Sequence, residues 1–230
     1  MSGDATADVF MAGFSSIHNS WQKAGIMIRQ DNEPDSPFVF AFLSGRNGLH
    51  LQGRTSRGGE ARGIASTGTN GQKEAWIRLS KKGSLFEMYT SGDDGETWTF
   101  VGSMEALFAD DSFRVGLAVL GKNQLIEVVF ENYEVSQYYA PTAAPTVSLA
   151  PTSMVPGKDI GEPQRLGEYI YEPNDQGIAK IIASGAGTWG TRDSFYFHKQ
   201  EEAFDTDLTA QLVVTGLWVN PSSSRWAKGE

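Results

Sequence analysis

The sequence TADVFMAGF, at residues 6–14, returns near the end of the chain as TAQLVVTGL, at residues 209–217. The two stretches share their first two residues, Thr-Ala, and a glycine near the end, and most other positions are apolar in both. A polar loop follows each copy and leads to Trp-x-Lys, at Trp21 and again at Trp226. The pattern predicts two neighbouring repeats, the first without its beginning and the second without its end.

Residues 1–137 have the pattern of short strands separated by turns. FVFAFL, at residues 38–43, is apolar throughout, which predicts a strand buried on both faces. Leucine alternates with polar residues at residues 49–52, which is typical of a strand with one exposed face. Turn sequences such as GRNG, at residues 45–48, separate such runs, and only SMEALF, at residues 103–108, has a helical pattern. We therefore predict an all-β fold, an antiparallel β-sandwich.

Residues 138–158 differ from the rest of the chain and read YYAPTAAPTVSLAPTSMVPGK, with Ala-Pro-Thr three times. Proline fixes φ and removes a hydrogen-bond donor, so this stretch is predicted to be an extended, semi-rigid linker. Linkers rich in Pro, Thr and Ser are often O-glycosylated outside the cell, which favours a secreted parent protein. Residues 159–230 again have a strand-like pattern. The predicted organisation is therefore two β segments, at residues 1–137 and 159–230, joined by this linker.

Composition excludes several classes of function. The formal net charge of −9 and the pI near 4.9 give a surface that repels phosphate backbones, which argues against nucleic-acid binding. With no cysteine in the sequence, disulfides and thiolate metal sites are excluded. No apolar run approaches the roughly 20 residues that span a bilayer. The first residues, MSGDATADVF, lack the basic start and apolar core of a signal peptide.

Three motifs carry a family resemblance: WQKAGIMIR at residues 21–29, DIGEP at residues 159–163, and GAGTWGTRDSFYF at residues 185–197. Together they resemble concanavalin-A-like (laminin-G-like) β-sandwich modules, although Gly187 and Trp189 stand one residue closer together than in the family pattern. The resemblance implies a jelly-roll sandwich from a secreted multidomain protein, often beside glycosidases. It implies little about the ligand, since ligands differ among such modules.

The order of the motifs is reversed relative to the family, because the closing half of the module comes first. In one interpretation, residues 159–217 fold back onto residues 1–137 and complete a single sandwich in circularly permuted order. In the other, each half needs a missing partner, in a longer chain or in another copy by swapping. In either form the two copies of the repeated strand compete for one position, so we expect one copy to be displaced or to pair at a sheet edge.

A further motif, SGDDGETW at residues 91–98, fits the pattern S-x-D-x-G-x-T-W. It resembles the Asp-box hairpin of sialidases and other secreted β-proteins. The chemistry is local, because the Asp side chain caps turn amides, Gly supplies φ > 0 and Trp packs under the hairpin. The residues expected to hold this turn are Ser91, Asp93, Gly95, Thr97 and Trp98. A sialidase would also need a propeller of repeated blades and an arginine cluster, which the sequence lacks.

Candidate carbohydrate-binding residues come from position in loops and near the linker. Trp218, Tyr138 and Tyr139 would stack on a sugar ring if exposed, although packing is the alternative for each. Lys23 and Arg29 would bind an anion or hydrogen-bond a glycan; the alternative for both is that they tie down a sheet edge or pair with a carboxylate.

Three tryptophans that lie inside the resembling motifs, Trp21, Trp98 and Trp189, are expected in the core.

The acidic loop at residues 31–35, DNEPD, is a candidate calcium site. Hard oxygen ligands on a loop suit Ca²⁺, and the ligands would come from Asp31, Asn32, Glu33 and Asp35. The spacing matches no EF-hand, and a solvated loop is the alternative.

No convincing catalytic site appears in the sequence. His18, His50 and His198 share no ligand spacing, and the carboxylate pairs near residues 201–207 fall in a loop. The main hypothesis is a non-catalytic, lectin-like carbohydrate-binding module that binds a glycan or glycoprotein. The alternatives are a structural or protein-interaction repeat, which associates through incomplete sandwich edges, and a glycosidase fragment with two facing carboxylates.

Overall fold

A computed structural model of the protein describes residues 4–14, 16–68, 74–109, 113–138, 148–149, 157–171, 179–199 and 208–212. Within these residues the chain forms strands and turns and contains no helix. The strands are β1 (Asp4–Phe14), β2 (Lys23–Arg29), β3 (Phe38–Ser44), β4 (Gly48–Arg54), β5 (Arg62–Ser66), β6 (Ala75–Lys82), β7 (Leu85–Ser91), β8 (Thr99–Glu105), β9 (Arg114–Leu120), β10 (Ile126–Tyr138), β11 (Ser148–Leu149), β12 (Lys158–Ile160), β13 (Glu168–Tyr171), β14 (Ala179–Ala183), β15 (Phe195–Lys199) and β16 (Leu208–Leu212).

The strands form two sheets that pack face to face, which confirms the predicted all-β sandwich. The first sheet has the order β13-β14-β10-β1-β16-β6-β7-β8, with β11 also beside β10. The second has the order β12-β15-β9-β2-β3-β4-β5. Neighbouring strands pair antiparallel, apart from β1 and β16, which run parallel to each other.

Within the second sheet, β3 carries apolar side chains on both faces. Val39, Ala41 and Leu43 point into the core between the sheets. Phe38 and Phe40 point the other way, into a second apolar cluster on the outer face. Every residue of β3 is buried, so the predicted strand with two buried faces is confirmed. The apolar side chains on the outer face of this sheet must therefore be shielded from solvent by another part of the chain.

Strands from residues 158–199 extend both sheets that residues 4–138 begin. In the first sheet β14 pairs with β10, with Ile181 opposite Val128. In the second sheet β15 pairs with β9, with Phe197 opposite Ala118. The two β segments thus share one core. Their assignment to halves of neighbouring modules stays a prediction.

Both copies of the repeated strand lie inside the first sheet, between β10 and β6. The expectation that one copy is displaced or pairs at a sheet edge is therefore wrong, because both copies pair with β10 and β6 inside the sheet. The structure describes the second copy up to Leu212, so residues 213–217 of the repeat lie outside the described residues.

The helical pattern at residues 103–108 is also a wrong prediction. Ser103, Met104 and Glu105 end β8 and pair with β7, with Met104 opposite Phe86. A segment this short has too few residues to nucleate a helix. The backbone groups of β7 instead form hydrogen bonds with it as a neighbouring strand.

Burial of His198 makes stability depend on pH. Burial lowers the pKa of this side chain from 6.5 to about 4, so the native state keeps it neutral while the unfolded state protonates it below pH 6.5. Between pH 6.5 and 4 the unfolded state binds more protons, so the free energy of unfolding falls as the pH falls. We expect His198→Leu to abolish this contribution, worth roughly 3 kcal/mol across the window.

Urea denaturation of the variant and the parent at pH 7, 5.5 and 4 measures the effect. Asp8, whose pKa burial raises to about 6, contributes with the opposite sign but equally to both proteins. A difference in stability between variant and parent that does not change with pH would contradict the account.

Candidate functional site

Two of the resembling motifs meet on the outer face of the second sheet. The loop between β14 and β15 crosses this face and is tied to it by backbone hydrogen bonds. The amide of Ala61 donates to the carbonyl of Gly190 at 3.0 Å, and the amide of Asp193 donates to the carbonyl of Pro34 at 2.8 Å. The loop thereby brings the motif at residues 185–197 against the motif at residues 21–29.

A buried ion cluster fixes the loop at the end that leads into β15. The Asp193 carboxylate lies 3.4 Å from Nη2 of Arg29 and 2.8 Å from Nη2 of Arg54, and none of these side chains is exposed. Backbone carbonyls accept most of the remaining guanidinium donors, including those of Glu33 at 2.7 Å and Gly190 at 2.9 Å. Each buried charge is thus paired and hydrogen-bonded, as the low-dielectric interior requires.

Burial shifts the pKa values within this cluster. It raises the pKa of the Asp193 carboxyl, and the hydrogen bonds and charges of Arg54 and Arg29 oppose that rise. It lowers the pKa of Arg29 to about 10, with the charge of Asp193 acting in the opposite direction. The prediction that Arg29 contacts a glycan is wrong, because its guanidinium is fully buried and already engaged.

A pocket opens beside the other end of the loop, where β2, β3, β4 and β5 present their outer faces. Its volume is about 310 Å³, within the lower range of small-ligand sites. Its lining comprises Trp21, Lys23, Phe42, His50, Gln52, Gly63, Lys122 and Trp189.

Trp21 and Trp189 border this pocket with much of their surface in solvent. Their exposed fractions are 46% and 61%, so the expectation that both lie in the core is wrong. Trp21 precedes β2 and contacts the His50 ring, whereas Trp189 belongs to the loop that crosses the sheet. Indole rings that are held by neighbours but open on one face are suited to stacking on a ligand.

Hydrogen-bonding groups lie beneath the two indole rings. The ammonium group of Lys23 donates to Oε1 of Gln52 and to Oγ1 of Thr188, the latter at 3.3 Å. The Gln52 amide in turn donates to the carbonyl of Thr188. Lys23 also lies 4.7 Å from the centroid of the Phe42 ring and 5.9 Å from that of Trp189. The polar groups are therefore positioned by one another and by the rings.

Two basic groups of the pocket, Lys23 and His50, have lowered pKa values. Burial lowers the pKa of Lys23 to about 7, the charge of Lys122 adds to this, and Asp193 opposes it. Burial also lowers the pKa of His50, against the effect of its hydrogen bond with the Asn47 carbonyl, and the charge of Lys23 lowers it further. Lys23 thus changes its charge near neutral pH.

Of the other predicted sugar contacts, the structure describes only Tyr138. Tyr138 is the last residue of β10 and pairs with Asp4, on the other sheet. Trp218 and Tyr139 lie outside the described residues. Stacking by these three aromatic residues stays a prediction.

In the acidic loop at residues 31–35, an arginine bridges the carboxylates. Arg57 donates to Asp31 and, at 2.9 Å, to Asp35. Burial acts to raise the pKa of Asp31, but the amide of Glu33 and the Arg57 guanidinium together lower it. Among the described residues no group of three or more His, Asp or Glu side chains suits a metal ion. Calcium binding by Asp31, Asn32, Glu33 and Asp35 stays a prediction.

The SGDDGETW hairpin joins β7 to β8 through side-chain capping. Oδ1 of Asp93 accepts hydrogen bonds from the Thr97 amide at 2.8 Å and from the Ser91 hydroxyl at 2.7 Å. Hydrogen bonds from the hydroxyls of Thr97 and Ser91 lower the pKa of Asp93 to about 2. Gly95 takes a φ of 86°, which only glycine adopts freely.

Trp98 is half-buried beside this hairpin, so the expectation that it lies in the core is wrong. Its ring lies under the Arg78 guanidinium, at 3.9 Å from the centroid, and meets Trp76 edge-on. The polar side chains of the hairpin form hydrogen bonds within the hairpin, so their presence is explained by the turn and needs no ligand.

No model of a known protein family, no curated protein and no solved structure matches the chain. In the described part of the chain no helix is long and apolar enough to cross a membrane.

Of the residues that line the pocket, Lys23 was a candidate from the sequence, whereas the roles of Trp21, His50 and Gln52 were missed although the sequence carried a partial signal for them. Trp21 and Lys23 are two residues apart, so they point to the same face as β2 begins. Gln52 and His50 share the polar face of β4 for the same reason. Trp189 could not be added from periodicity, because it comes from a distant loop.

The buried ion cluster generates a stability prediction. Asp193→Asn leaves two guanidinium groups buried without a counter-charge, so we expect a loss of roughly 3–5 kcal/mol in the free energy of unfolding. Asp35→Asn is the matched control, since it removes the same charge from a solvent-exposed pair with Arg57 and should cost about 1 kcal/mol or less. Urea denaturation followed by tryptophan fluorescence measures both. Equal losses in the two variants would contradict the structural role of Asp193.

Proposed function

We propose that this chain is a non-catalytic, lectin-like carbohydrate-binding module whose sugar site is the pocket between Trp21 and Trp189. The observation that carries the proposal is the pair of exposed indole rings bordering a pocket with hydrogen-bonding groups beneath them. A sugar ring has an apolar C–H face and a rim of hydroxyls, so it needs one flat aromatic surface and several fixed donors and acceptors. Lys23, Gln52 and His50 offer those groups.

The charge of the pocket favours an acidic sugar over a neutral one. Two lysines, Lys23 and Lys122, line the pocket, and no carboxylate belongs to its lining. The chain as a whole has a formal net charge of −9, so the basic lining of this pocket is opposite in sign to the net charge of the protein. A uronic acid or a sulfated sugar would provide the carboxylate or sulfate that Lys23 can pair with.

The absence of catalysis is part of the proposal. Hydrolysis of a glycosidic bond uses two carboxyl groups about 5–10 Å apart across the scissile bond. The pocket lining supplies neither of them. A glycosidase would therefore need a site elsewhere than in this pocket.

The proposed family and location rest on the sequence motifs. The sandwich is compatible with a concanavalin-A-like (laminin-G-like) module, and the motifs at residues 21–29 and 185–197 that suggest this family lie against each other. The linker rich in Pro and Thr favours a secreted parent protein. Both belong to the proposal.

The second candidate is a structural or protein-interaction repeat that binds no sugar. The observation that favours it is the duplicated strand, because two copies in one chain suit association between repeats better than ligand binding. A folded chain that binds no glycan at any pH would favour this candidate.

Variants that change the pocket test the proposed site. We expect Trp189→Ala and Trp21→Ala each to weaken glycan binding about tenfold, since aromatic stacking contributes roughly 1–1.5 kcal/mol. Gly63→Val should also weaken it, because a Cβ there would meet only Trp189, at 4.0 Å, so the side chain would fill the pocket without disturbing the sheet.

A glycan array followed by titration calorimetry on the best ligand provides the measurement. Phe100→Ala is the control, since Phe100 is 53% exposed on β8 of the other sheet. Full binding by all three pocket variants would contradict the site. Loss of binding in Trp218→Ala alone would instead place the site at that tryptophan.

The pKa of Lys23 predicts how binding depends on pH. With a pKa near 7, Lys23 is largely charged at pH 6 and largely neutral at pH 8. Affinity for an acidic oligosaccharide should therefore fall several-fold between pH 6 and pH 8. His50 would add charge only at lower pH, since its own pKa is lowered.

Lys23→Met should remove this pH dependence.

The same titration with a chelator tests the calcium hypothesis, and we expect binding to survive because the pocket lining supplies no carboxylate. Loss of binding with the chelator would point to the loop at residues 31–35 instead.

A further inference from the structure

The pocket between Trp21 and Trp189 contains an amine in surroundings that disfavour its charge. Lys23 lies at the start of β2, only 4% of this residue is exposed, and no carboxylate belongs to the pocket lining. Burial lowers the pKa of Lys23 to about 7, although the charge of Asp193 acts in the opposite direction. A desolvated lysine of this kind is a nucleophile at neutral pH, because the unprotonated amine has a free lone pair.

A second lysine, Lys122, is held at the same pocket by a turn with an unusual backbone. Lys122 and Asn123 take φ values of 55° and 66°, in the left-handed region that few residues other than glycine adopt. The Asn123 amide donates to the carbonyl of Gly185 at 3.1 Å, which ties this turn to the loop between β14 and β15. A Cβ built on Gly187 of that loop would lie 3.7 Å from Nζ of Lys122. The charge of Lys122 lowers the pKa of Lys23 beyond the effect of burial.

The hydrogen-bond partners of the Lys23 amine suit its neutral form. A neutral amine has two N–H donors and one lone pair, whereas an ammonium group has three donors and no lone pair. Two acceptors lie within hydrogen-bonding distance of the nitrogen, Oε1 of Gln52 and Oγ1 of Thr188. They take up the two donors of the neutral amine and leave its lone pair for a third partner. The rings of Phe42 and Trp189 favour the charged form, but they supply no counter-charge.

We propose that Lys23 captures a small carbonyl compound that bears an acid group, a 2-oxo acid, as a covalent imine. The nitrogen lone pair attacks the carbonyl carbon and forms a C–N bond. Both protons of the amine pass to the carbonyl oxygen, the C–O bond breaks, and the oxygen leaves as water. Amine and carbonyl thus give one imine and one water, and the step needs neither an oxidant nor a reductant.

Lys122 determines the acid group of this ligand. When Lys23 is neutral, the positive charge of the pocket lining is that of Lys122, and the carboxylate of a 2-oxo acid would pair with it. The pocket volume of about 310 Å³ accommodates such a molecule between the two indole rings. The inference uses the pocket of the proposed sugar site, but it does not depend on glycan binding.

Reductive trapping of the full chain tests the capture. The chain is incubated at pH 7 with glyoxylate and cyanoborohydride, which reduces an imine to a stable amine, and the modified lysines are identified by peptide mapping. Lys82, whose side chain is 51% exposed on the other sheet, is the internal reference. About half of Lys23 is neutral at pH 7, against fewer than about one in a thousand for an ordinary lysine. We expect Lys23 to be modified at least about tenfold faster than Lys82, and an equal or slower rate would overturn the proposal.

The pH dependence separates a reactive amine from a merely accessible one. Above pH 7 the neutral fraction of Lys23 changes little, while that of Lys82 rises about tenfold per pH unit. The ratio of the two labelling rates should therefore fall about tenfold between pH 8 and pH 9. A constant ratio would contradict the proposal.

A comparison of two aldehydes tests the role of Lys122. Acetaldehyde has a carbonyl group but no acid group, so Lys122→Met should reduce the preference of Lys23 for glyoxylate over acetaldehyde several-fold. An unchanged preference would contradict the pairing of Lys122 with the acid group. Glycan binding is measured separately, and selective capture by Lys23 in a chain that binds no glycan would support this inference while contradicting the proposed sugar site.

Discussion

The Asp193 carboxylate between two buried guanidinium groups is the interaction on which the arrangement of the molecule depends. Arg29 and Arg54 come from β2 and β4, on the outer face of the second sheet, and neither could stay charged there without a counter-charge. The acid comes from the loop that leads into β15. Pairing it with the arginines fixes this loop across the sheet, and β15 then pairs with β9. One carboxylate therefore joins two segments that are far apart in the sequence.

The pocket forms because the same loop, between β14 and β15, crosses the outer face of the second sheet. The loop that supplies Asp193 also supplies Trp189, and its Thr188 accepts a hydrogen bond from Lys23. β2 supplies Lys23 near one end and Arg29 at the other, so the pocket and the ion cluster lie along a single strand. The two ends of β2 differ in net charge, because Asp193 neutralises Arg29 whereas no carboxylate lines the pocket around Lys23. Lys23 is therefore a largely buried basic group that lines the pocket between two aromatic rings.

Much of the fold could be predicted from the sequence, because strand patterns are local. The run at residues 38–43 gave β3 with both faces buried, and the alternation at residues 49–52 placed two leucines in the core. The exposed face predicted for that alternation is wrong, because Gln52 is buried under the loop that crosses the sheet. The site could not be predicted in the same way. Exposure of Trp21 and Trp189 depends on where a distant loop crosses the sheet, and burial of Arg29 depends on an acid more than a hundred residues away. The sequence repeat predicted competition for one strand position, but only the pairing of β10 and β6 shows that the position is interior.

The contact between Gly63 and Trp189 tests the central claim, that the second segment folds onto the outer face of the second sheet and completes the pocket. A Cβ built on Gly63 would lie 4.0 Å from Cζ3 of Trp189, so the glycine α-proton in that direction points toward the indole ring. NMR of the full chain with labelled glycine and tryptophan measures this directly. The account predicts a nuclear Overhauser effect between the Gly63 α-protons and the Trp189 ring. A folded chain that lacks this effect would contradict it.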